Sequence, residues 1–492
     1  MNFINKLKKK LKEYIDNKYF EQNLKIEQIN NKIESLVEAM DNDKSEIEAY
    51  DNKNIILRKN QVEQINKRAD LMLSEVYKLD NMFLNRVKNN KLKHLTNEQL
   101  EEINNFWKPY EFAYKNNSEI QKYLYSISGV FDPSYISWGL HFLLLKPYWE
   151  HKLTRTITLK SWTFWFFNKE IPMPKTYIMC EFGGIYFDEN KNIISKEEAI
   201  KICCDIINSG KKILLKPSDG VCGNGIKVLG GEKDVRDAFN TYKDRFLCQV
   251  LVKNHPSYVT SNSLNTLRIT TFVYKKDVKW IGTMFRMGCG NNVVDNWHAG
   301  GISCAVNSDG VCNDYAISLN GEKYYSHPDG YEFAGRKLFN YKKAHELAMA
   351  LHKKMPYVKY IAWDIAINED GEPVVLEFGN PGYSILMEMG GFNTYLNKEI
   401  VKEILDEYLV KKFYYTKAIF DWDYREYRDN IVLIRYCGFD SCVKVPKTIN
   451  GKKVSHILNG AIKGTYINEI YISNDIKLEP NAVAKNIVVI KN

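Results

Sequence analysis

The chain has 492 residues, of which 45% are hydrophobic and 26% are charged. At roughly 100 to 200 residues per domain, this length predicts two to four domains, and the composition excludes disordered, collagen-like and membrane-embedded proteins. The net charge of +9 is too small for a dedicated nucleic-acid-binding protein, so we expect no nucleic-acid partner. Six lysines and two acidic residues fall within positions 1–20, which places part of the positive charge in that segment.

The ten cysteines are scattered along the chain and include no CxxC pair, which argues against a disulfide scaffold and a zinc ribbon. The first residues lack the apolar stretch of a cleavable signal. The longest apolar runs are far shorter than the roughly 20 residues that a membrane span needs. We therefore expect a cytoplasmic protein in a reducing compartment.

Residues 1–90 carry the pattern of a helical coiled coil. Apolar residues recur in steps of three and four from Ile26 to Ile47, and again in a second phase from Val62 to Phe83. The polar residues 51–54 between the two phases predict a hairpin or a break. An antiparallel hairpin packed on itself and an intermolecular coiled coil that forms a homo-oligomer both fit this pattern.

Residues 1–20 place apolar side chains beside the lysines. This arrangement is typical of an amphipathic helix that lies peripherally on a membrane, here at its inner face. A solvated, lysine-rich helix end fits the same residues.

Residues 91–170 are rich in aromatic residues and helical in pattern, and we expect them to form a cap that leads into the core. Residues 171–411 alternate strands, short helices and glycine loops, and 11 of the 28 glycines fall within positions 216–310. Glycine at this density is needed where the backbone approaches a ligand or takes positive φ. Residues 412–492 change to short β segments.

A glycine-rich loop follows a buried strand that ends in a lysine. The run from Ile213 to Leu229 predicts a strand ending at Lys216, then a loop with three glycines, then a second strand. The N–H groups of such a loop bind a polyphosphate, while the lysine supplies positive charge. The spacing is neither that of the P-loop nor that of the dinucleotide fingerprint, and a glycine-rich hairpin that serves only as a turn also fits.

Arg268 and Arg286 lie on two later β runs, the second of them followed by a glycine pair. Two arginines near glycines suit the charge that develops on a transferred phosphoryl group. Taken singly, each arginine is typical of a surface ion pair.

The last polar set lies on a predicted β-hairpin with its turn at residues 368–372. The two strands bring Asp364 and Glu377 next to each other, with the Asn380 amide oxygen beyond. Hard oxygen ligands placed in this way suit Mg²⁺ that also holds nucleotide phosphates. In most proteins an acidic pair at a hairpin is structural, but its position after a lysine and glycine loop favours a metal site.

The ordered motifs KPSDGVCGNGI, NTLRITT, FRMGCGNNVVDNWHAGGI, AWDIAI and VVLEFGNPG closely resemble the sugar-transfer associated group of the ATP-grasp superfamily. The resemblance extends over residues 95–400. It implies an α+β, two-lobed ATP-grasp fold in which ATP and Mg²⁺ are held between antiparallel sheets.

The resemblance also implies roles for individual residues. The phosphates of ATP would contact Lys216 and lie under the loop glycines Gly220, Gly223 and Gly225. The adenine hinge would be formed by Gln249, Val250, Leu251 and Val252. The catalytic positive charges would be Arg268, Arg286 and Lys160.

For Mg²⁺, the resemblance implies the ligands Asp364, Glu377 and Asn380. The superfamily commonly has Glu-x-Asn at this point, whereas this chain has two residues between Glu377 and Asn380. The resemblance therefore supports Glu377 more strongly than Asn380.

Residues 412–492 resemble the β-solenoid leucine-rich repeats of bacterial surface antigens. The resemblance is carried by positions 442–457, 460–464 and 470–472. About two repeats fit, fewer than the three or so that a solenoid needs alone. We therefore expect this segment to pack on the rest of the enzyme or on another chain.

The family implies an ATP-dependent ligase that joins a small-molecule carboxylate to an amine through an acyl phosphate. Its name implies an amino sugar or amino acid destined for a surface polysaccharide or glycoconjugate. The alternatives are a kinase of the same fold, acting on a small amide or hydroxyl, and a nucleotide-binding scaffold. Intact Lys216, Asp364 and Glu377 argue against the scaffold.

Overall fold

The computed structural model describes residues 47–87, 92–111, 114–146, 159–167, 169–220, 223–258, 263–290, 295, 297, 300–379, 396, 398–407, 417–427 and 429–491. The basic segment 1–20, the first apolar phase up to residue 46, and Asn380 lie outside the described residues. The chain divides into two compact units, Met1–Ile56 with Ile157–Val252 and Leu57–Thr156 with Lys253–Asn492.

The α-helices of the described residues are α1 Ile47–Val87, α2 Asn97–Trp107, α3 Ser118–Ser128, α4 Lys160–Phe167, α5 Lys196–Asn208, α6 Glu232–Tyr242, α7 Tyr341–Lys353 and α8 Lys398–Ile404. A 3₁₀ turn spans Lys108–Tyr110 and a π-helix spans Leu140–Leu145. Among these described helices, none is both long and apolar enough to cross a bilayer.

The strands are β1 Thr176–Glu181, β2 Ile185–Phe187, β3 Ile193–Ile194, β4 Ile213–Pro217, β5 Lys227–Leu229, β6 Phe246–Val250, β7 Thr266–Tyr274, β8 Asp277–Met287, β9 Ile302–Val306, β10 Cys312–Ser318, β11 Lys323–Tyr324, β12 Tyr360–Ile367, β13 Pro373–Gly379, β14 Lys417–Ala418, β15 Trp422–Tyr427, β16 Asn430–Tyr436, β17 Cys442–Lys444, β18 Thr448–Ile449, β19 Lys452–Ile457, β20 Glu469–Ile472, β21 Lys477–Leu478 and β22 Val488–Lys491.

Helix α1 runs without interruption through residues 51–54, so the predicted break at these positions is wrong. The segment is polar but contains neither glycine nor proline. Asparagine and aspartate lower helix stability by less than about 0.7 kcal/mol each relative to alanine. The helix on the carboxyl-terminal side therefore extends through them.

The second apolar phase of α1 packs within the chain. Val76 and Phe83 are buried in one hydrophobic core with side chains of α2 and α3, and Met72 packs against it. Asp80 of the same helix accepts hydrogen bonds from the Tyr114 hydroxyl at 2.9 Å and from the Gly139 N–H at 2.7 Å. This part of the predicted coiled coil is therefore an intramolecular contact, and the homo-oligomer stays a prediction.

The first unit contains an antiparallel sheet of six strands in the order β3-β2-β1-β6-β4-β5. Helices α5 and α6 cover one face, where their apolar side chains pack on those of β1, β4 and β6. On the other face, Phe164 of α4 packs against Met179 and Leu247. Because alternate side chains of a strand point to opposite faces, this second face also carries Lys216, which pairs with Leu247.

The second unit contains an antiparallel sheet of seven strands in the order β11-β10-β9-β8-β7-β12-β13. Helix α7 packs against β7, β8 and β12. Every residue of β12 is buried, which matches the apolar run on either side of Asp364. The predicted hairpin with its turn at residues 368–372 is confirmed by the pairing of β12 with β13.

The last 75 or so residues form a β module with a hydrophobic core of its own. Strands β16, β19 and β21 pair in parallel in one sheet, and β17, β20 and β22 pair in parallel in another. Helix α1 contacts the start of this module, since Arg58 donates to the Phe420 carbonyl at 2.7 Å and to the buried Asp423 at 3.0 Å. The module therefore packs on its own chain.

Candidate functional site

The predicted strand, glycine loop and strand are present in the first unit as β4, the loop and β5. Lys216 is buried near the end of β4. Gly223 and Gly225 both have φ of +76°, a conformation that residues with a Cβ rarely adopt. An added Cβ on Gly220 would lie 3.2 Å from the Pro217 side chain, so the loop folds closely over the strand end.

Lys160 reaches this loop from the first turn of α4. Its Nζ donates to the Gly220 carbonyl at 2.7 Å, and its backbone N–H donates to the Ser218 carbonyl at 3.3 Å. The structure therefore brings together two residues that are 60 positions apart, Lys160, which the sequence assigned a catalytic charge, and Gly220, which it assigned to the nucleotide phosphates.

A buried carboxylate lies where the glycine loop begins. Glu181 ends β1, and Ser218 follows β4 on the other side of β6. Burial raises the pKa of Glu181 above its usual range, and the hydroxyls of Ser161 and Ser218 oppose the shift. Glu181 Oε1 has no hydrogen-bond partner among the described residues.

The predicted adenine hinge begins in the last two residues of β6 and continues beyond the strand. Gln249 is buried, and its Nε2 donates to Thr176 Oγ1 at 2.7 Å. That hydroxyl uses its single proton toward the Pro174 carbonyl at 3.4 Å, so it accepts from the amide nitrogen and fixes the amide orientation. Gln249 Oε1 is then an acceptor without a partner among the described residues.

The rest of the hinge is held by backbone hydrogen bonds. The Val250 N–H donates to the Lys175 carbonyl at 2.8 Å, and the Leu251 N–H donates to the Lys212 carbonyl at 3.1 Å. The first unit ends at Val252. Gln249 lies two residues beyond Leu247 on β6, so it shares the sheet face of Lys216.

Three predicted residues form one row across the sheet of the second unit. Asp364 on β12 pairs with Arg268 on β7 and with Glu377 on β13. Paired residues on antiparallel neighbours point to the same face, so the three side chains share it. Arg286 on β8 pairs with Thr266, two residues from Arg268, and belongs to the same face.

The two arginines converge on Asp364. Arg268 donates from Nε to Oδ1 at 2.5 Å and from Nη2 to Oδ2 at 2.7 Å, while Arg286 Nη1 lies 3.1 Å from both oxygens. Arg286 Nη2 lies 3.4 Å from Asp295 Oδ1, and the Thr266 hydroxyl donates to Asp295 Oδ2. The cluster therefore contains two guanidinium groups and two carboxyl groups.

Burial and charge act in opposite directions on these acids. Burial alone would raise the pKa of Asp364, but the adjacent Arg268 and Arg286 outweigh it and lower the pKa to about 2. Burial raises the pKa of Asp295 above its usual range, although Arg286 opposes that shift. Asp364 is thus ionised at neutral pH.

The two described carboxylates on this face fit a phosphate-bound Mg²⁺. Glu377 is exposed, whereas Asp364 is 6% exposed and has both oxygens engaged by arginines. The described residues contain no group of three or more His, Cys, Asp or Glu that could hold a metal ion by itself. Mg²⁺ is commonly held by one or two carboxylates together with substrate phosphates, and this pair supplies that number.

Sequence reasoning misses Asp295, Glu181 and Tyr242. Asp295 stands in the motif that follows Arg286, so its proximity to that arginine had a local signal. Glu181 is a lone carboxylate at the end of an apolar strand, which is a weaker signal. Tyr242, whose hydroxyl contacts the Gly225 carbonyl, has none, because this contact joins a helix end to a loop 17 residues earlier.

Comparison with solved structures finds many similar chains, and three of low identity serve as examples. The chain is 10% identical to D-alanyl-alanine synthetase A from Vibrio cholerae, with a TM-score of 0.34, over 52% of this chain and 66% of that one. It is 9% identical to the D-alanine-D-alanine ligase from Coxiella burnetii, with a TM-score of 0.32, over 53% of this chain and 59% of that one. It is 12% identical to biotin carboxylase from Campylobacter jejuni, with a TM-score of 0.32, over 51% of this chain and 46% of that one.

This chain spans less than two thirds of each of these proteins. Sequence identities and TM-scores this low do not indicate a shared activity. A search of curated proteins finds no sequence relative. None of the comparisons supports the leucine-rich-repeat resemblance of the last segment, which stays a prediction.

One family comparison covers half of the chain. Residues 145–391 match the family described as sugar-transfer associated ATP-grasp. This range includes every predicted site residue from Lys160 to Asn380. The chain belongs to the sugar-transfer associated ATP-grasp family.

Proposed function

We propose that this chain is an ATP- and Mg²⁺-dependent ligase that joins a small-molecule carboxylate to an amine through an acyl phosphate. The observation that carries the proposal is the shared sheet face of Arg268, Arg286, Asp364 and Glu377 in a chain of an ATP-grasp family. It combines positive charge for a transferred phosphoryl group with carboxylates for its metal ion.

In this proposal the first unit binds the nucleotide. Lys160 and Lys216 neutralise phosphate charge, and Gly220, Gly223 and Gly225 bring backbone N–H groups to the phosphates. Gln249 Oε1 accepts a hydrogen bond from the adenine amino group. Leaving that buried acceptor unpaired would cost about 1–3 kcal/mol, which favours a donor on the ligand.

The reaction has two steps. A carboxylate oxygen of the substrate attacks the γ-phosphorus, the bond to the β,γ-bridging oxygen breaks, and ADP leaves. The amine nitrogen then attacks the acyl carbon, gives up a proton, and inorganic phosphate leaves as the amide forms. Arg268 and Arg286 stabilise the negative charge on the phosphoryl oxygens in both steps.

Mg²⁺, when bound through Asp364 and Glu377, supplies further neutralisation of the phosphate charge. Asn380 completes the ligand set in the proposal, with a neutral oxygen. Asp364 accepts from both arginines in this structure, so it would have to give up at least one of these contacts to hold the ion. That arginine would then bind the phosphoryl oxygens.

The substrates follow from the family name alone. We propose an amino sugar or an amino acid as the amine, used in the synthesis of a surface polysaccharide or glycoconjugate. Purified protein with ATP, Mg²⁺ and a panel of carboxylates, amino acids and amino sugars should release ADP and inorganic phosphate in equal amounts with a product of amide mass. A phosphorylated product without release of inorganic phosphate would identify the kinase, and no ADP with any combination would reject turnover.

We further propose that residues 1–20 contact anionic membrane surfaces. Each lysine near such a surface contributes about 1 kcal/mol of attraction. A protein that lacks residues 1–20 should keep its turnover and co-sediment less with phosphatidylserine vesicles than the full chain. Equal co-sedimentation of the two proteins would contradict the membrane contact.

A further inference from the structure

Tyr242, the last residue of α6, contacts the glycine loop. Its hydroxyl donates to the Gly225 carbonyl at 2.7 Å. Its ring packs edge-on against Phe246, with the ring centroids 6.3 Å apart. A Cβ on Gly225 would lie 2.8 Å from Pro217 Cγ and 3.4 Å from the Tyr242 hydroxyl, so the slot admits only glycine without a shift of its walls.

This contact fixes the direction of one peptide group in the loop. The carbonyl and the N–H of a trans peptide point in opposite directions, and the described residues contain no cis peptide. The carbonyl of the peptide between Gly225 and Ile226 points at Tyr242, while its N–H donates to the Gly223 carbonyl at 3.3 Å. The hydroxyl and this turn together hold the peptide in one orientation.

The orientation has an electrostatic consequence for an anion. A carbonyl oxygen carries partial negative charge and repels a phosphate, whereas the N–H groups of a glycine loop attract it. The Gly220 carbonyl, at the other end of the loop, is engaged by Lys160 Nζ. Both of these carbonyls therefore have their negative ends tied to donors.

We propose that Tyr242 is a positioning residue for phosphate binding, which holds the Gly225 carbonyl away from the phosphate oxygens of ATP. The inference rests on the proposed function, since the phosphates are those of the proposed ATP site. Tyr242 itself does not contact the reacting atoms. Its effect is confined to ligands that carry phosphate, and this distinguishes positioning from a general structural role.

The test compares Tyr242→Phe with Thr241→Val in the full chain. The first variant removes only the hydroxyl and keeps the ring on Phe246. The second removes a neighbouring hydroxyl that also donates to a backbone carbonyl at 2.7 Å, that of Asp237, on the same helix but away from the loop. Isothermal titration calorimetry measures the Kd for ATP with Mg²⁺ and the Kd for adenosine, and thermal melting checks that each variant is folded.

Tyr242→Phe should weaken ATP binding by about three- to tenfold, the effect of one net hydrogen bond, and leave adenosine binding unchanged. Thr241→Val should change neither Kd. Wild-type affinity for ATP in folded Tyr242→Phe, or an equal loss for ATP and adenosine, would overturn the inference. Failure of the wild-type chain to bind ATP would instead reject the proposed function, and the inference with it.

Discussion

Replacing Asp364 by asparagine tests whether the cluster of two arginines and two acids is held by charge. The carboxylate accepts four hydrogen bonds from Arg268 and Arg286, at 2.5 to 3.1 Å. Asparagine keeps the shape, but it turns an N–H₂ donor toward guanidinium donors. Removing one partner of a buried ion pair costs about 3–5 kcal/mol, and we expect a loss of this size in the free energy of unfolding at pH 7.

The pH dependence separates the charge from the shape. The pKa of Asp364 is lowered from 3.8 to about 2, because the arginines outweigh its burial. A lowered carboxyl pKa contributes stability that is fully present above pH 4 or so and is lost as the pH falls through 2. The shift corresponds to about 2 kcal/mol at neutral pH, so the deficit of Asp364→Asn should shrink by about that amount between pH 4 and pH 2.

Urea unfolding of both proteins, followed by tryptophan fluorescence at a series of pH values, measures this deficit. Asp370→Asn is the matched control, because it makes the same chemical change at an exposed residue in the turn of the same hairpin. The control should lie within about 0.5 kcal/mol of wild type. A deficit for Asp364→Asn equal to that of the control at pH 7, or one that does not change between pH 7 and pH 2, would refute the charge argument.

Three further predictions, which involve four substitutions, have defined outcomes. Gly139→Ala should destabilise the second unit by about 1–3 kcal/mol or more in urea unfolding, because its Cβ would lie 2.3 Å from the Val76 carbonyl oxygen. Gly231→Ala is the control, since a Cβ at Gly231 would meet open space. A loss of stability for Gly139→Ala no larger than that of the control would contradict the packing. Burial lowers the pKa of His352 to about 4, so this residue contributes stability that is present above pH 6.5 or so and is lost, by up to about 3 kcal/mol, as the pH falls through 4. His352→Gln should therefore make the melting temperature fall less steeply over this pH range. An unchanged pH dependence of the melting temperature would exclude His352 as the cause of the loss. Glu377→Gln should lower ADP release by orders of magnitude, whereas Asn380→Ala should lower it by less and recover in part at high Mg²⁺, since Glu377 is a charged ligand and Asn380 a neutral one. Equal losses for the two variants across a Mg²⁺ titration would show that the extra residue between them does not weaken the site.

The local parts of the site were predictable because their signals are local. An apolar run that ends at Lys216 and continues into glycines predicts a strand and a loop, and both are present. The spacing of Asp364 and Glu377 around a polar turn predicts a hairpin with the two acids side by side. Strand periodicity and turn chemistry determine such features over fewer than 20 residues.

The contacts that set the chemistry of these residues were not predictable from single segments. The carboxylate of Asp364 faces Arg268 from 96 positions away, and the register of two distant strands decides that pairing. A sequence pattern identifies strands, but it does not determine which residues of two distant strands lie opposite each other. For this reason the sequence did not predict that both arginines donate to Asp364, and the metal contact of this residue stays a prediction.

The error at residues 51–54 has a different origin. Asparagine and aspartate are frequent in turns, and for this reason the sequence predicted that they would end the helix. Helix α1 is stabilised beyond this segment by tertiary contacts such as those of Arg58 and Val76. Such contacts stabilise a helix more than local propensity does.

Trapping of an acyl phosphate tests the central claim most directly. Hydroxylamine replaces the unknown amine, so only the carboxylate pool needs to be varied in the presence of ATP and Mg²⁺. The account predicts a hydroxamate of the matching mass, formed in equal amount with ADP and absent with the Lys216→Ala variant, which should remain folded. Release of ADP with a phosphorylated amide or hydroxyl and no hydroxamate, or hydroxamate formation by the Lys216→Ala protein at the wild-type rate, would contradict it.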